Sequence, residues 1–253
     1  MLDFTLGVYQ KLIETLKIKE YNFFSLREYF SDPNSTKKFI IIRHDVERKI
    51  QNAKKMAALE AKLNIHSTYY FRYPNTFDAK IIKEIQDLGH EVGYHYETLA
   101  KAGGDFAYAI ELFKKELAEF RKKVFIETIS PHGSPLSKWN NKKIWEKFDF
   151  NNFGIIGDAA LSVNFSEILY LTDTGRGWNR EKVNFRDKSD TKYTLKINDI
   201  YDIIKKIKNG EMSHKAMINI HPHRWNDNFF QWSTELVWQN TKNIIKQIII
   251  RYK

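Results

Sequence analysis

Seven short apolar segments punctuate this chain: FIIIRHDV (39–46), STYYFRY (67–73), HEVGYH (90–95), VFIETIS (124–130), FGIIG (153–157), EILYLTD (167–173) and AMINIHP (216–222). Each has the length of a buried strand rather than a helix. Most are separated by stretches with helical periodicity, at 50–63, 78–88, 105–123, 138–148 and 198–210, with Gly89 and Gly210 as stops. Leu2, Leu6, Tyr9, Leu12, Ile13 and Leu16 form a helical stripe before the first strand, and a last helix is expected over 233–252. Asn198 is the expected cap of the 198–210 helix, and the polar stretch 179–192 is expected to be a loop. Strands alternating with helices predict a parallel sheet with both faces covered. The fold class is therefore α/β, closed or nearly closed into a barrel. No linker, repeat or low-complexity tract divides it, so residues 1–253 read as one domain.

Composition removes several chemistries. The chain has no cysteine, so disulfide scaffolds, thiolate-ligated metals and thiol nucleophiles are excluded. Any metal must be held by His, Asp or Glu, a set that suits zinc, cobalt, nickel, manganese or iron. The 41 basic and 31 acidic residues leave a net charge of +10. The lysines fall mostly as scattered pairs inside helical segments, which predicts solvated helix faces and no specific nucleic-acid footprint. No apolar run approaches the ~20 residues of a membrane span. The opening MLDFTLGVYQKLIETL lacks a basic start and an uninterrupted apolar run, so it does not read as a signal peptide. The expected location is the cytoplasm.

Residues with chemistry gather at the carboxyl ends of the strands, where parallel α/β folds build their sites. His44 and Asp45, His95 and Glu97, His132, and His221 follow four separate strands. Several familiar motifs fail. His90-Glu91…His95 resembles a zinc-protease helix, but the second histidine comes one residue late for a shared helical face. Gly175-Arg176-Gly177 lacks the third glycine and the following helix of a nucleotide loop. There is no nucleophile elbow of the GxSxG kind. His221 and His223 form an HxH pair, though on the last strand, not the first.

Taken in order, RHDV (43–46), GHEVGYHYE (89–97), SPHG (130–133), DTGRGWN (173–179) and INIHPHRW (218–225) resemble the polysaccharide deacetylase superfamily, carbohydrate esterase family four. They are most similar to the branch whose first motif reads His-Asp-Val. The resemblance covers about 39–225, leaving helical additions at both ends. It implies a distorted (β/α) barrel of about seven parallel strands. It also implies metal-assisted removal of an N-acyl, typically acetyl, group from an amino sugar in a glycan or glycan precursor. Asp45 matches the family's general base, His95 the first histidine of its metal motif, and His221 its general acid. Val46 and Leu99 stand where the family has a metal-binding aspartate and a second metal histidine. The base-orienting arginine of the third motif has no clear counterpart, and His132 occupies that region. The resemblance therefore implies a divalent metal, zinc first, on a substitute set drawn from Asp45, His95, His132 and Glu97, with Glu47 also available. Arg176, Trp178 and Trp225 are expected to position the sugar. Arg43 is expected to pair with a carboxylate near the barrel mouth. The alternative function is a degenerate barrel that binds a carbohydrate without hydrolysing it.

Overall fold

The computed structural model describes residues 2–134, 137–178, 193 and 195–251, with 245–251 as backbone alone. The expected loop at 179–192 lies outside the described residues, as does Tyr252 at the end of the last expected helix. In chain order the elements are α1 (Leu6–Ile18), β1 (Asn22–Phe24), α2 (Leu26–Ser31), β2 (Phe39–Val46), α3 (Ile50–Lys62), β3 (Thr68–Phe71), α4 (Ala79–Asp87), β4 (Glu91–Tyr96), α5 (Thr98–Lys101) and α6 (Phe106–Arg121). There follow β5 (Thr128–Pro131), two 3-10 helices (Asn141–Glu146 and Phe150–Phe153), β6 (Gly157–Asp158), β7 (Leu169–Thr172), α7 (Ile200–Asn209), β8 (Lys215–Ile220), a 3-10 turn (Pro222–Arg224) and α8 (Phe229–Arg251).

All strand pairings are parallel, in the order β6-β5-β4-β3-β2-β8-β7. Read as a ring, that order is the chain order from β2 to β8 with one seam, between β6 and β7. The fold is a distorted (β/α) barrel, curled and open along that seam. The three-residue β1 is an addition, pairing with the first half of β2 along the edge that β3 takes further on.

Strand alternation decides what the barrel mouth contains. In β2, Phe39 and Ile41 point inward to Tyr70, Tyr170 and Met217. Ile40 and Ile42 point outward beneath α1 and α7, and Val46 points outward among Ala53, Ala57, Tyr69 and Phe71. Arg43 and Asp45 share the inward parity. By the same alternation β4 sends Val92, Tyr94 and Tyr96 outward, leaving Glu91, Gly93 and His95 inside. In β8, Ala216, Ile218 and Ile220 face the helices, while Asn219 turns inward.

Gly93 is required by close approach rather than by backbone angle. A Cβ there would stand 2.2 Å from the Tyr70 ring and 2.9 Å from the Thr128 carbonyl oxygen. Gly93→Ala is expected to destabilise the barrel by about 1–3 kcal/mol through overpacking. Urea unfolding would measure it, and an unchanged midpoint would remove this account of the position.

Several boundaries differ from expectation for local reasons. The helix expected over 138–148 is a 3-10 helix only at Asn141–Glu146. Phe153 closes another 3-10 turn, so β6 is confined to Gly157–Asp158. The side chain of Asp199, not Asn198, caps α7 by accepting from the Asp202 amide, while Asn198 bonds back to the Asp202 carboxylate. The last helix starts earlier than Ser233 because the Asn228 side chain accepts from the Gln231 amide at 3.0 Å.

Candidate active site at the barrel mouth

Asp45 ends the inward row of β2 and is almost wholly buried. Arg43, two residues earlier on the same face, grips it bidentately: Nε–Oδ1 is 2.9 Å and Nη2–Oδ2 is 2.7 Å. Arg43 also donates to the Ser130 hydroxyl at 2.6 Å, and Asn219 donates to Asp45 Oδ2 at 3.1 Å. Burial alone would raise the Asp45 pKa, but Arg43, His95 and His221 outweigh it and hold the carboxyl well below the usual range. Arg43 thus orients Asp45 and favours its ionised form.

Three imidazoles surround this carboxylate, each anchored through Nδ1. His95 Nδ1 lies 3.1 Å from the Ser130 carbonyl oxygen, which makes it the donor and leaves Nε2, 3.9 Å from Asp45 Oδ2, with its lone pair free. Burial lowers the His95 pKa to about 4, so the ring is neutral at pH 7. His132 Nδ1 bonds Glu97 at 2.8 Å, and its Nε2 is 3.5 Å from Glu47 Oε1. His221 Nδ1 bonds Asp173 at 2.6 Å, and its Nε2 is 3.8 Å from the same Glu47 oxygen. Glu47 therefore sits between two ring nitrogens, at separations beyond a good hydrogen bond.

Asp173, at the end of β7, was not singled out in the sequence although it closes EILYLTD. It is fully buried and receives the His221 amide, the His221 ring, Arg224 at 2.6 Å and the Trp225 indole at 2.9 Å. These contacts fix the ring so that Nε2 points toward Glu47. Arg72 on the β3 side performs the matching task for Glu97, donating to both oxygens at 2.8 Å. Burial opposes ionisation of Glu97, but His132 and Arg72 bring its pKa to about 2.

The expected residues divide into two groups. Asp45, His95, His132, Glu97 and His221 lie together at the carboxyl end of the sheet, with Glu47 among them. Arg176, Trp178 and Trp225 do not offer free surfaces to a sugar. Trp178 and Trp225 are 3% and 1% exposed and pack with Phe4 in the core. Arg176 is buried between the rings of Phe4 and Trp232. The amino-terminal segment folds over these loops, a contact between residues more than 200 positions apart in the case of Asp3 and Trp232. His44 and His90 face away from the mouth, toward Glu60.

The expected metal set is not gathered on one point: Asp45 and Glu97 are each clasped by an arginine of their own, Arg43 and Arg72. Among the described residues no three His, Asp or Glu side chains already form a group able to hold an ion. The donors left at the mouth are Glu47 and the Nε2 atoms of His95, His132 and His221. The Glu47–His132 separation is near the roughly 3.4 Å between two ligands of one tetrahedral zinc with bonds of about 2.1 Å. Val46 is no loss to such a site, since its parity points it out of the barrel. Glu47, two positions after Asp45, regains the inward side.

No protein-family model and no curated protein sequence matches the chain. Solved structures do. A CE4 family pseudoenzyme from Bacillus anthracis is similar with a TM-score of 0.42 and 10% identity, over 82% of this chain and 62% of its own. A CE4 esterase from Streptococcus mutans gives 0.43 and 12%, over 90% and 87% of the two chains. The peptidoglycan deacetylase PdaC from Bacillus subtilis gives 0.39 and 14%, over 85% and 98%. The chain thus spans less than two thirds of the pseudoenzyme's length. With identities of 10–14% and TM-scores of 0.39–0.43, these similarities say nothing of this chain's activity.

Proposed function

We propose that this protein is a deacetylase-like hydrolase of the polysaccharide deacetylase superfamily, cleaving the amide of an N-acyl amino sugar in a glycan or glycan precursor. The observation that carries the proposal is the pairing of two differently supported groups on adjacent strands. Asp45 is an anion held by Arg43, and His221 is an imidazole held by Asp173, both at the carboxyl ends of paired strands. In the reaction Asp45 accepts a proton from the attacking water, and His221 Nε2 delivers one to the departing amine nitrogen. The C–O bond forms first, giving a tetrahedral species, and its collapse breaks the C–N bond. His221, doubly protonated beforehand, gives its Nε2 proton to the amine, and Asp45 keeps the water proton until it is passed to solvent. The acid product ionises, leaving a carboxylate and a free amine.

A divalent ion, if bound, would have to draw Glu47 and the Nε2 atoms of His95 and His132 together, since they form no such group among the described residues as they stand, with Asp45 and Glu97 outside the ligand set. When bound, such an ion polarises the acyl oxygen and lowers the pKa of water toward about 7. That matters here because an aspartate of such low proton affinity is a weak base toward ordinary water. Neutral His95, with Nδ1 tied to a carbonyl, and His132, with Nδ1 tied to a carboxylate, have the outer partners typical of metal-bound histidines.

Two measurements test this reading. The zinc-loaded protein should release acetate from N-acetylated amino-sugar oligomers, whereas saturable binding without acetate release would favour the carbohydrate-binding alternative. Calorimetric zinc titration of the metal-stripped protein should show Glu47→Gln weakening zinc by at least about 10–100-fold, the loss caused by removing even a partner of a metal histidine. Unchanged affinity in that variant, with affinity lost in Glu97→Gln, would reverse the assignment.

A further inference from the structure

The last helix, α8, lies with its polar side against the barrel mouth. Glu235 takes Arg48 at 2.6 Å and Lys49 at 3.0 Å, and Asn243 donates to the Gly175 carbonyl oxygen at 2.8 Å. These contacts tie the helix to the loops that follow β2 and β7. Lys242 comes one heptad after Glu235, only about 20° round the helix from it, so it shares the inward side. Its ammonium lies over the Trp238 ring and makes no ion pair among the described residues. Burial and the nearby Arg48 guanidinium lower its pKa to about 8. His223 lies beneath the helix, 1% exposed, with no hydrogen-bond partner for either ring nitrogen; its Nε2 is 3.9 Å from Glu235 Oε1. Burial keeps that ring neutral, with Arg224 adding to the effect. Three cations and an unsatisfied imidazole are thus gathered around one carboxylate. The carboxylate of Glu47, one residue before Arg48, points instead to His132 and His221.

We propose that Arg48, Lys49, His223 and Lys242 form a phosphate subsite, and that the substrate is an amino sugar bearing a phosphate monoester; this rests on the deacetylase-like reading above. The charge count selects the group. Set against Glu235, the three cations leave two positive charges, and a phosphate monoester carries about −1.5 to −2 at pH 7. A carboxylate would leave one of those charges unanswered, and a plain glycan would leave both. A neutral imidazole holds one N–H, so His223 has a further bond to donate to a phosphate oxygen. The Arg48 and Lys49 side chains are 33% and 38% exposed, which keeps the cluster open to solvent. It also adjoins the proposed chemistry. Arg48 follows Glu47, which lies 3.8 Å from His221 Nε2, and the His221 and His223 rings are 6.0 Å apart. A sugar anchored there by its phosphate is held beside the group that protonates the departing amine.

Calorimetry on the full chain at about 0.15 M salt tests this, with N-acetylglucosamine 6-phosphate and N-acetylglucosamine 1-phosphate set against N-acetylglucosamine. At least one phosphorylated sugar should bind more than about tenfold tighter than the plain one, the gain of a single charge-assisted hydrogen bond. The advantage should survive removal of metal. It should vanish in Lys242→Met, which keeps the stem and loses the charge, and return in Lys242→Arg. Equal binding of phosphorylated and plain sugars overturns the proposal. So does an advantage that Lys242→Met retains, or one that disappears with the metal and therefore belongs to the ion. Acetate release, followed on the same sugars, separates the subsite from the reading beneath it. A phosphate advantage without acetate release keeps the subsite and removes the hydrolase. Release from the plain sugar with no phosphate preference keeps the hydrolase and removes the subsite.

Discussion

Asp45→Asn is expected to lower turnover by about 10²–10⁴-fold while leaving zinc affinity within about threefold of the parent. Asparagine preserves the side-chain outline and one acceptor oxygen, but it removes the charge and the capacity to take a proton. On the reading proposed above this role is distinct from ligation, because both carboxylate oxygens already accept hydrogen bonds, from Arg43 Nε and Nη2 and from Asn219 Nδ2. The substitution also leaves the buried Arg43 guanidinium short of a counter-charge, and breaking such a pair costs about 3–5 kcal/mol of stability. Turnover must therefore be measured below the variant's own unfolding transition, with substrate saturating and metal content recorded. If metal and turnover disappear together, Asp45 belongs to the ligand set and Glu47 loses its assignment. Full turnover in a folded variant would end the hydrolase mechanism altogether.

Much of this site was legible because strand ends and chemistry coincide in the sequence. FIIIRHDV, with Arg43 and Asp45 two apart, already contains the pair, and alternation needed only one fact to be decisive: which face of β2 lines the barrel. That fact is tertiary. Without it Val46 reads as a lost ligand, whereas its side chain lies among Ala53, Ala57 and Phe71 outside the barrel. The same missing fact kept Glu47 in the background. Asp173 escaped notice because a strand-final aspartate gains its meaning only from His221, Arg224 and Trp225, about 50 residues later. Trp178 and Trp225 sit in polar sequence yet are buried, because Phe4 from the far end of the chain covers them. Short elements such as β1 and α5 leave no mark in the sequence, since three or four residues show no periodicity.

Glu60→Gln is expected to destabilise the fold by about 3–5 kcal/mol at pH 7, lowering Tm by roughly 10 °C for a chain of this size. Glu60 is on α3 and completely buried. It accepts from Ser67 Oγ at 2.6 Å and Tyr69 at 2.8 Å, from the Tyr9 hydroxyl, and contacts His44 Nε2 at 2.7 Å. One carboxylate thereby ties α1, β2 and the start of β3 to α3. A neutral amide cannot accept from all of these donors, and each buried donor left unpaired costs about 1–3 kcal/mol. The pH dependence has a definite sign. Burial would raise the Glu60 pKa, but His44, His90 and Ser67 lower it to about 2, against 4.5 for the free side chain. A depressed carboxylate contributes stability that is complete above the unfolded-state pKa and is lost as pH falls toward the folded one. The stability gap between the parent and Glu60→Gln should therefore be constant above about pH 5 and close progressively between about pH 4.5 and 2. Urea unfolding at a series of pH values gives that gap directly. A gap that is absent at pH 7, or that persists unchanged to pH 2, would show that the buried network is not held by the charge of Glu60.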